Sequence, residues 1–160
     1  FAVHAWLAWE TSRQSWDARK EKYRKQENLN FDFASSLMRW GGVLILVFVA
    51  FHILHMTTGS LHPAFDRGGV VVAATPHGEV NAYANLVTGL GNPVVAGFYG
   101  LAMVAICLHL YHGVWSLFQT LGAAHPKYAS YRRPFAVIVA LVVFLGFVSI
   151  PVSIVTGVVS

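Results

Sequence analysis

Three uninterrupted apolar runs, residues 36–59, 92–122 and 134–158, constrain this chain more than any other feature of its sequence. Each exceeds the ~20 residues that an α-helix needs to cross a ~30 Å hydrocarbon layer, and none contains an acidic residue. In lipid every backbone polar group must be satisfied within the segment, so runs of this length fold as helices. The expected fold class is an all-α transmembrane helix bundle. Charged residues make up only 11% of the chain, against about 25% in an ordinary soluble domain, which argues against a soluble reading of the same runs.

Boundary signals support each span. Ser35 or Ser36 is placed to cap the first and Gly59 to stop it. Asn92 and Pro93 supply a cap and a first helical residue for the second. The third opens near Pro134, and Pro151 is expected to kink it. The opening stretch FAVHAWLAWE has no charged segment and no cleavage site of a signal peptide. Residues 1–9 therefore read as the end of another transmembrane helix, which continues into a basic segment at 10–35. The expectation is three full spans plus this end of a fourth, in a complete subunit of five spans that extends upstream of Phe1.

Charge then sets topology. Of eleven Lys and Arg, six lie between Arg13 and Lys25, and Lys127, Arg132 and Arg133 form a second cluster, whereas the 60–91 connection holds only Arg67. Basic loops mark the cytoplasmic side, so 10–35 lies inside and 60–91 is an external loop. Cations confined to membrane loops leave no soluble basic face for nucleic acid. Cys107 is the single cysteine, so no disulfide forms within the chain.

Imidazoles inside these spans require a reason, because ionisable side chains at that depth are costly and face the bundle interior. His52 and His55 sit in VFVAFHILHMTTG, and His109 and His112 repeat the spacing of three in ICLHLYHGVW. Residues three apart share a helix face, so each pair is expected to line one inward stripe. At ~1.5 Å per residue, His109 lies roughly 15 Å above the cytoplasmic end near Gln119 and His4 roughly 9 Å above Glu10, whereas His52 is about 24 Å from Ser36. His4 and His109 can meet in the inner half of the membrane, with His52 in the outer half. Widely separated imidazoles suit heme, whose iron takes two axial ligands, better than zinc, which takes four with carboxylate or thiolate help. Gly41, Gly42, Gly97, Gly100 and Gly113 would let a flat macrocycle approach the backbone. Helix packing is the alternative reason for both the glycines and the histidines.

The stretches FHILHMTTGSLHP, NPVVAGFYGLAMVAICLHLYHGVWSLFQTLG and GFVSIPV together resemble the diheme cytochrome b membrane anchor of succinate dehydrogenase and fumarate reductase, the succinate:quinone oxidoreductases. The resemblance covers nearly all of the chain. It implies two b hemes (heme b) in the complete subunit, held by one His from each of the first four helices. VHAWLAW carries the second-helix ligand role to His4, AFHILHM the third-helix role to His52, and His109, with Gly113 four residues on, the fourth-helix role. His4 and His109 would share the heme nearer the cytoplasm. The partner of His52 would come from a helix upstream. His55 and His112 stand as alternative ligands, or as hydrogen-bond partners of propionates or quinone. Arg39 and Ser36, at the cytoplasmic start of a span, are candidates to pair with a heme propionate, or a simple interfacial anchor.

By the same resemblance, partner flavoprotein and iron–sulfur subunits carry the dicarboxylate chemistry of the tricarboxylic acid cycle. This chain would pass electrons to a membrane quinone, menaquinone in the two-heme type, as a multi-pass subunit in a bacterial or archaeal plasma membrane among lipid. A higher oligomer is compatible with this. The rivals are a heme-free structural anchor and a quinol-linked cytochrome b subunit of another respiratory complex.

Overall fold

A computed structural model describes residues 1–18, 33–61, 82–123 and 125–159. Among these residues every regular element is helical: α1 (Ala2–Asp17), α2 (Phe33–His52) running into a π-helical turn (Ile53–Thr57), α3 (Ala82–Leu90), α4 (Pro93–Thr120) and α5 (Pro126–Val155). Three helical stretches are long and apolar enough to cross a membrane, Leu37–Thr57, Pro93–Thr120 and Ser130–Val155. They correspond to the three sequence spans.

The caps account for most of the boundaries. Asn92 accepts from the Val94 amide at 2.9 Å and Pro93 occupies the first turn of α4, as the sequence implied. The His125 ring accepts from the Lys127 amide at 3.1 Å and starts α5 at Pro126. Gly59 and Gly122 adopt φ of 69° and 72°, the left-handed conformation that ends a helix without Cβ strain.

Three boundaries differ from the sequence expectation. The last span's helix begins at Pro126 rather than Pro134, so Lys127, Arg132 and Arg133 ride on a helical turn and Pro134 lies within the helix. Neighbouring helices and local adjustment let membrane helices carry such a proline. Ser35 and Ser36 sit inside α2, which has begun by Phe33, so neither is its cap. The end of the 60–91 connection is the helix α3, not loop, because Asn85, Gly89 and Leu90 bury one face of it.

Helix α4 is central, packing on α2 at one side and on α5 at the other. Ala136 and Ala140 of α5 are buried, and such small side chains let helices approach closely. The main core gathers Phe48, Leu90, Tyr99, Ala102, Met103 and Ile154, toward the α3 end of the bundle. Helix α1 buries none of its residues.

Candidate heme-binding site

The imidazoles fall into two groups, as their depths implied. Ten residues separate Tyr99, which touches His52, from His109 on α4, and ten separate Gly42, which faces His109, from His52 on α2. Both intervals amount to about 15 Å along a helix axis.

In the outer group Tyr99 joins the two histidines of α2 and its π-turn. Its hydroxyl lies 3.3 Å from His52 Nδ1 and 3.0 Å from His55 Nδ1. Phe48 meets the Tyr99 ring edge-on at 5.1 Å, and Phe51 stacks on His55 at 5.2 Å and 16°. The expectation that His52 and His55 share one inward stripe is met in part: both turn Nδ1 to the Tyr99 hydroxyl, but His55 is 3% exposed, whereas His52 is exposed. The π-turn contributes to this, because it narrows the angular step per residue from about 100° to roughly 82° just after His52. Gly89 closes over His55 from α3, since a Cβ there would lie 3.0 Å from Met56 Cε and 3.4 Å from His55 Cε1.

In the inner group His4 of α1 faces His109 of α4 with ring centres 6.1 Å apart and planes at 85°. His109 and His112 each hold a shielded Nδ1 with no hydrogen-bond partner among the described residues, and His112 sits edge-on to Trp115 at 5.7 Å. A cleft of about 180 Å³ opens beside His109 between α2 and α4, walled by Leu37, Gly41, Leu44 and Leu108. The Arg39 guanidinium lies over the Trp16 ring at 5.8 Å, tying α2 to the end of α1. The side chain of Ser36 lies outside the described residues.

Heme can be tested against this geometry. Two imidazoles on opposite faces of one iron have ring centres about 6 Å apart, from metal–nitrogen bonds of about 2 Å and roughly 1 Å from each nitrogen to its ring centre. The His4–His109 separation meets that value. An edge-to-face ring pair has the same spacing. Around His4, α1 leaves Val3, Trp6 and Leu7 exposed, and its end is tied to α2 by Arg39 over Trp16. The His4–His109 spacing fits a bis-imidazole heme as well as it fits a ring pair. Among the described residues no three His, Cys, Asp or Glu side chains cluster, so a many-liganded metal ion finds no cage there.

Three residues that sequence reasoning passed over belong to this description. Tyr99 is the hub of the outer group, and its signal was a phenol within an apolar span, where a hydroxyl must find a partner. Asn85 is buried with its Oδ1 unpaired among the described residues. Arg132, read as part of a basic connection, has Nε and one terminal nitrogen shielded and unpaired among the described residues. Comparisons of the chain with models of known protein families, with curated protein sequences and with solved structures find no match.

Proposed function

We propose that this chain forms most of a diheme cytochrome b membrane anchor of a succinate:quinone oxidoreductase and passes electrons between an iron–sulfur subunit and membrane quinone. The observation that carries the reading is the His4–His109 pair, 6.1 Å apart and bridging to a helix that buries nothing. His4 and His109 hold the inner heme. His52 holds the outer one, with a second ligand that the resemblance assigns to another helix of the complete subunit. Heme b supplies reversible one-electron storage at each position. The chain's own residues orient the imidazoles, exclude water through Leu37, Leu44 and Leu108, and separate the two positions by a distance set by ten residues of helix. The basic end, with Arg13, Lys127 and Arg133, is the docking side for the flavoprotein and iron–sulfur subunits. Menaquinone and a bacterial or archaeal plasma membrane complete the reading by resemblance.

The heme-free anchor draws its support from the outer group, where Tyr99 gives both imidazoles a hydrogen bond. Purification of the native complex from membranes separates the readings. The expected result is a reduced-minus-oxidised b-type spectrum, two hemes per anchor by the pyridine hemochrome assay, and co-purifying flavoprotein and iron–sulfur subunits. Absence of heme would establish the structural anchor, and different soluble partners would assign the chain to another respiratory complex.

A further inference from the structure

Resting on the outer-heme reading, we propose that Tyr99 is the positioning residue of the outer heme ligand, and that His55 is not an alternative ligand but the buried acceptor in a directed His52–Tyr99–His55 hydrogen-bond chain that lowers that heme's potential. An axial imidazole must present an unobstructed nitrogen to a flat macrocycle. His55 cannot do so: it is 3% exposed, stacked on Phe51 at 5.2 Å, and overlain by α3 where Gly89 approaches its Cε1. His52 is exposed, and its Nδ1 is turned to Tyr99.

Ligation fixes the direction of the chain. A neutral imidazole bound to iron through Nε2 carries its proton on Nδ1, and the second partner of that proton sets ring orientation and ligand basicity. His52 Nδ1–H therefore donates to the Tyr99 oxygen across 3.3 Å. A phenol has one proton of its own, and Tyr99 donates it to His55 Nδ1 across 3.0 Å. Donation to His55 makes the phenol oxygen a better acceptor for His52, since hydrogen bonds in series polarise one another. A more basic axial imidazole favours ferric over ferrous iron, so the intact chain holds the outer potential down. Were His55 the ligand, both hydrogen bonds would run the other way and His52 would be the acceptor.

The test is a redox titration of both hemes in the full complex, with heme content measured on the same samples. Tyr99→Phe deletes one oxygen atom and keeps the ring that Phe48 and Phe51 pack against. It should retain both hemes, raise the outer midpoint potential and leave the inner one unmoved. His55→Leu should move the outer potential in the same direction by less, and the double variant by no more than Tyr99→Phe alone. Two hemes with an unmoved outer potential in Tyr99→Phe would overturn the role of Tyr99 and leave the outer-heme reading standing. Should Tyr99→Phe fail to assemble, His55→Leu decides, and either loss of the outer heme or an unmoved potential in that variant overturns the proposal. A wild-type complex whose single heme survives His52→Ala overturns the outer-heme reading itself, and this inference with it.

Discussion

At the outer end of the bundle Tyr99 draws Phe48, Phe51, His52 and His55 into one continuous set of ring contacts and hydrogen bonds, whereas ten residues along α4 His109 meets a single imidazole across a helix with no buried residue. The two regions place the same residue type in the same apolar surroundings and resolve it differently. The outer imidazoles are satisfied by the protein. The inner ones leave the Nδ1 atoms of His109 and His112 shielded and unpaired among the described residues, and Arg132 near the start of α5 does the same with two guanidinium nitrogens. A shielded unpaired polar group costs on the order of 1–3 kcal/mol. One such group also lies beside the outer ring cluster, the Oδ1 of Asn85 on α3, so the two ends differ in the number of unpaired groups rather than in kind.

The contrast is sharpest in heme content. On the proposed ligation His109→Ala would remove one of two axial bonds where little water can replace it, and the pyridine hemochrome assay should then return half the wild-type heme with the outer heme intact. His112→Ala should leave both. The opposite outcome, heme lost with His112→Ala and kept with His109→Ala, would move the ligand by one helical turn.

Charge distinguishes the ends next. Only the inner end carries clustered cations, and Arg19, Lys20 and Lys22, which the sequence places in the basic segment, lie outside the described residues. Each cation near an anionic surface contributes about 1 kcal/mol, so reversing the three together should strip the soluble subunits from membranes. Their full recovery at raised ionic strength would break the assignment of docking to this end.

Packing follows. Phe48 is 5% exposed and touches the rings of His52, Phe98 and Tyr99, whereas Trp6 on α1 is 62% exposed. Lipid tails are as apolar as Phe, so Phe48→Ala loses chiefly the cavity part of the ~3–5 kcal/mol seen in soluble cores, on the order of 2 kcal/mol. Trp6→Ala should cost under about 0.5 kcal/mol, as surface changes usually do. Thermal unfolding of the two variants in detergent compares them directly, and equal losses would mean that α1 is packed after all.

The smallest effect lies where α1 leaves the apolar region. The Arg13 guanidinium, 3.0 Å from Glu10, and then the Gln14 amide hold the Glu10 carboxyl below its ordinary value. A lowered carboxyl stabilises above its unfolded-state pKa and loses that contribution as pH falls through its folded value. Acidification should therefore slightly loosen the end of α1 in hydrogen exchange, and Glu10→Gln should abolish that dependence.

How much of this was legible in the sequence depended on the range of the signal. Spans were readable because length and hydropathy are properties of the segment itself, and the Asn92 cap was readable because its partner is two residues away. The true start of α5 was obscured by Lys127, Arg132 and Arg133, which suggest a loop although the first turns of a helix outside the hydrocarbon tolerate charge. Helix α3 was missed because nine residues carry little intrinsic helix signal and gain stability only by packing on the π-turn, α4 and α5. The meeting of His4 with His109 was anticipated from depth along two helices. The split between His52 and His55 was not, because apolar periodicity at 3.6 residues cannot register a local change of pitch.

That change of pitch also says where the chain can absorb a difference in length. A π-turn holds roughly 4.4 residues per turn, about one more than the helix leading into it, so Ile53–Thr57 stores a surplus residue between α2 and the exit at Gly59. Removing a residue there lets the turn relax to ordinary pitch while Gly42 and Phe48 keep their register against α4, Arg39 keeps its place over Trp16 of α1 and the chain still leaves the bundle on the same side. A residue removed anywhere from Leu37 to Phe51 would instead rotate every later side chain by about 100° about the axis. Among relatives of this chain, length variation in the span should therefore concentrate at these five positions, and each shortened version should re-aim the second histidine while sparing the first.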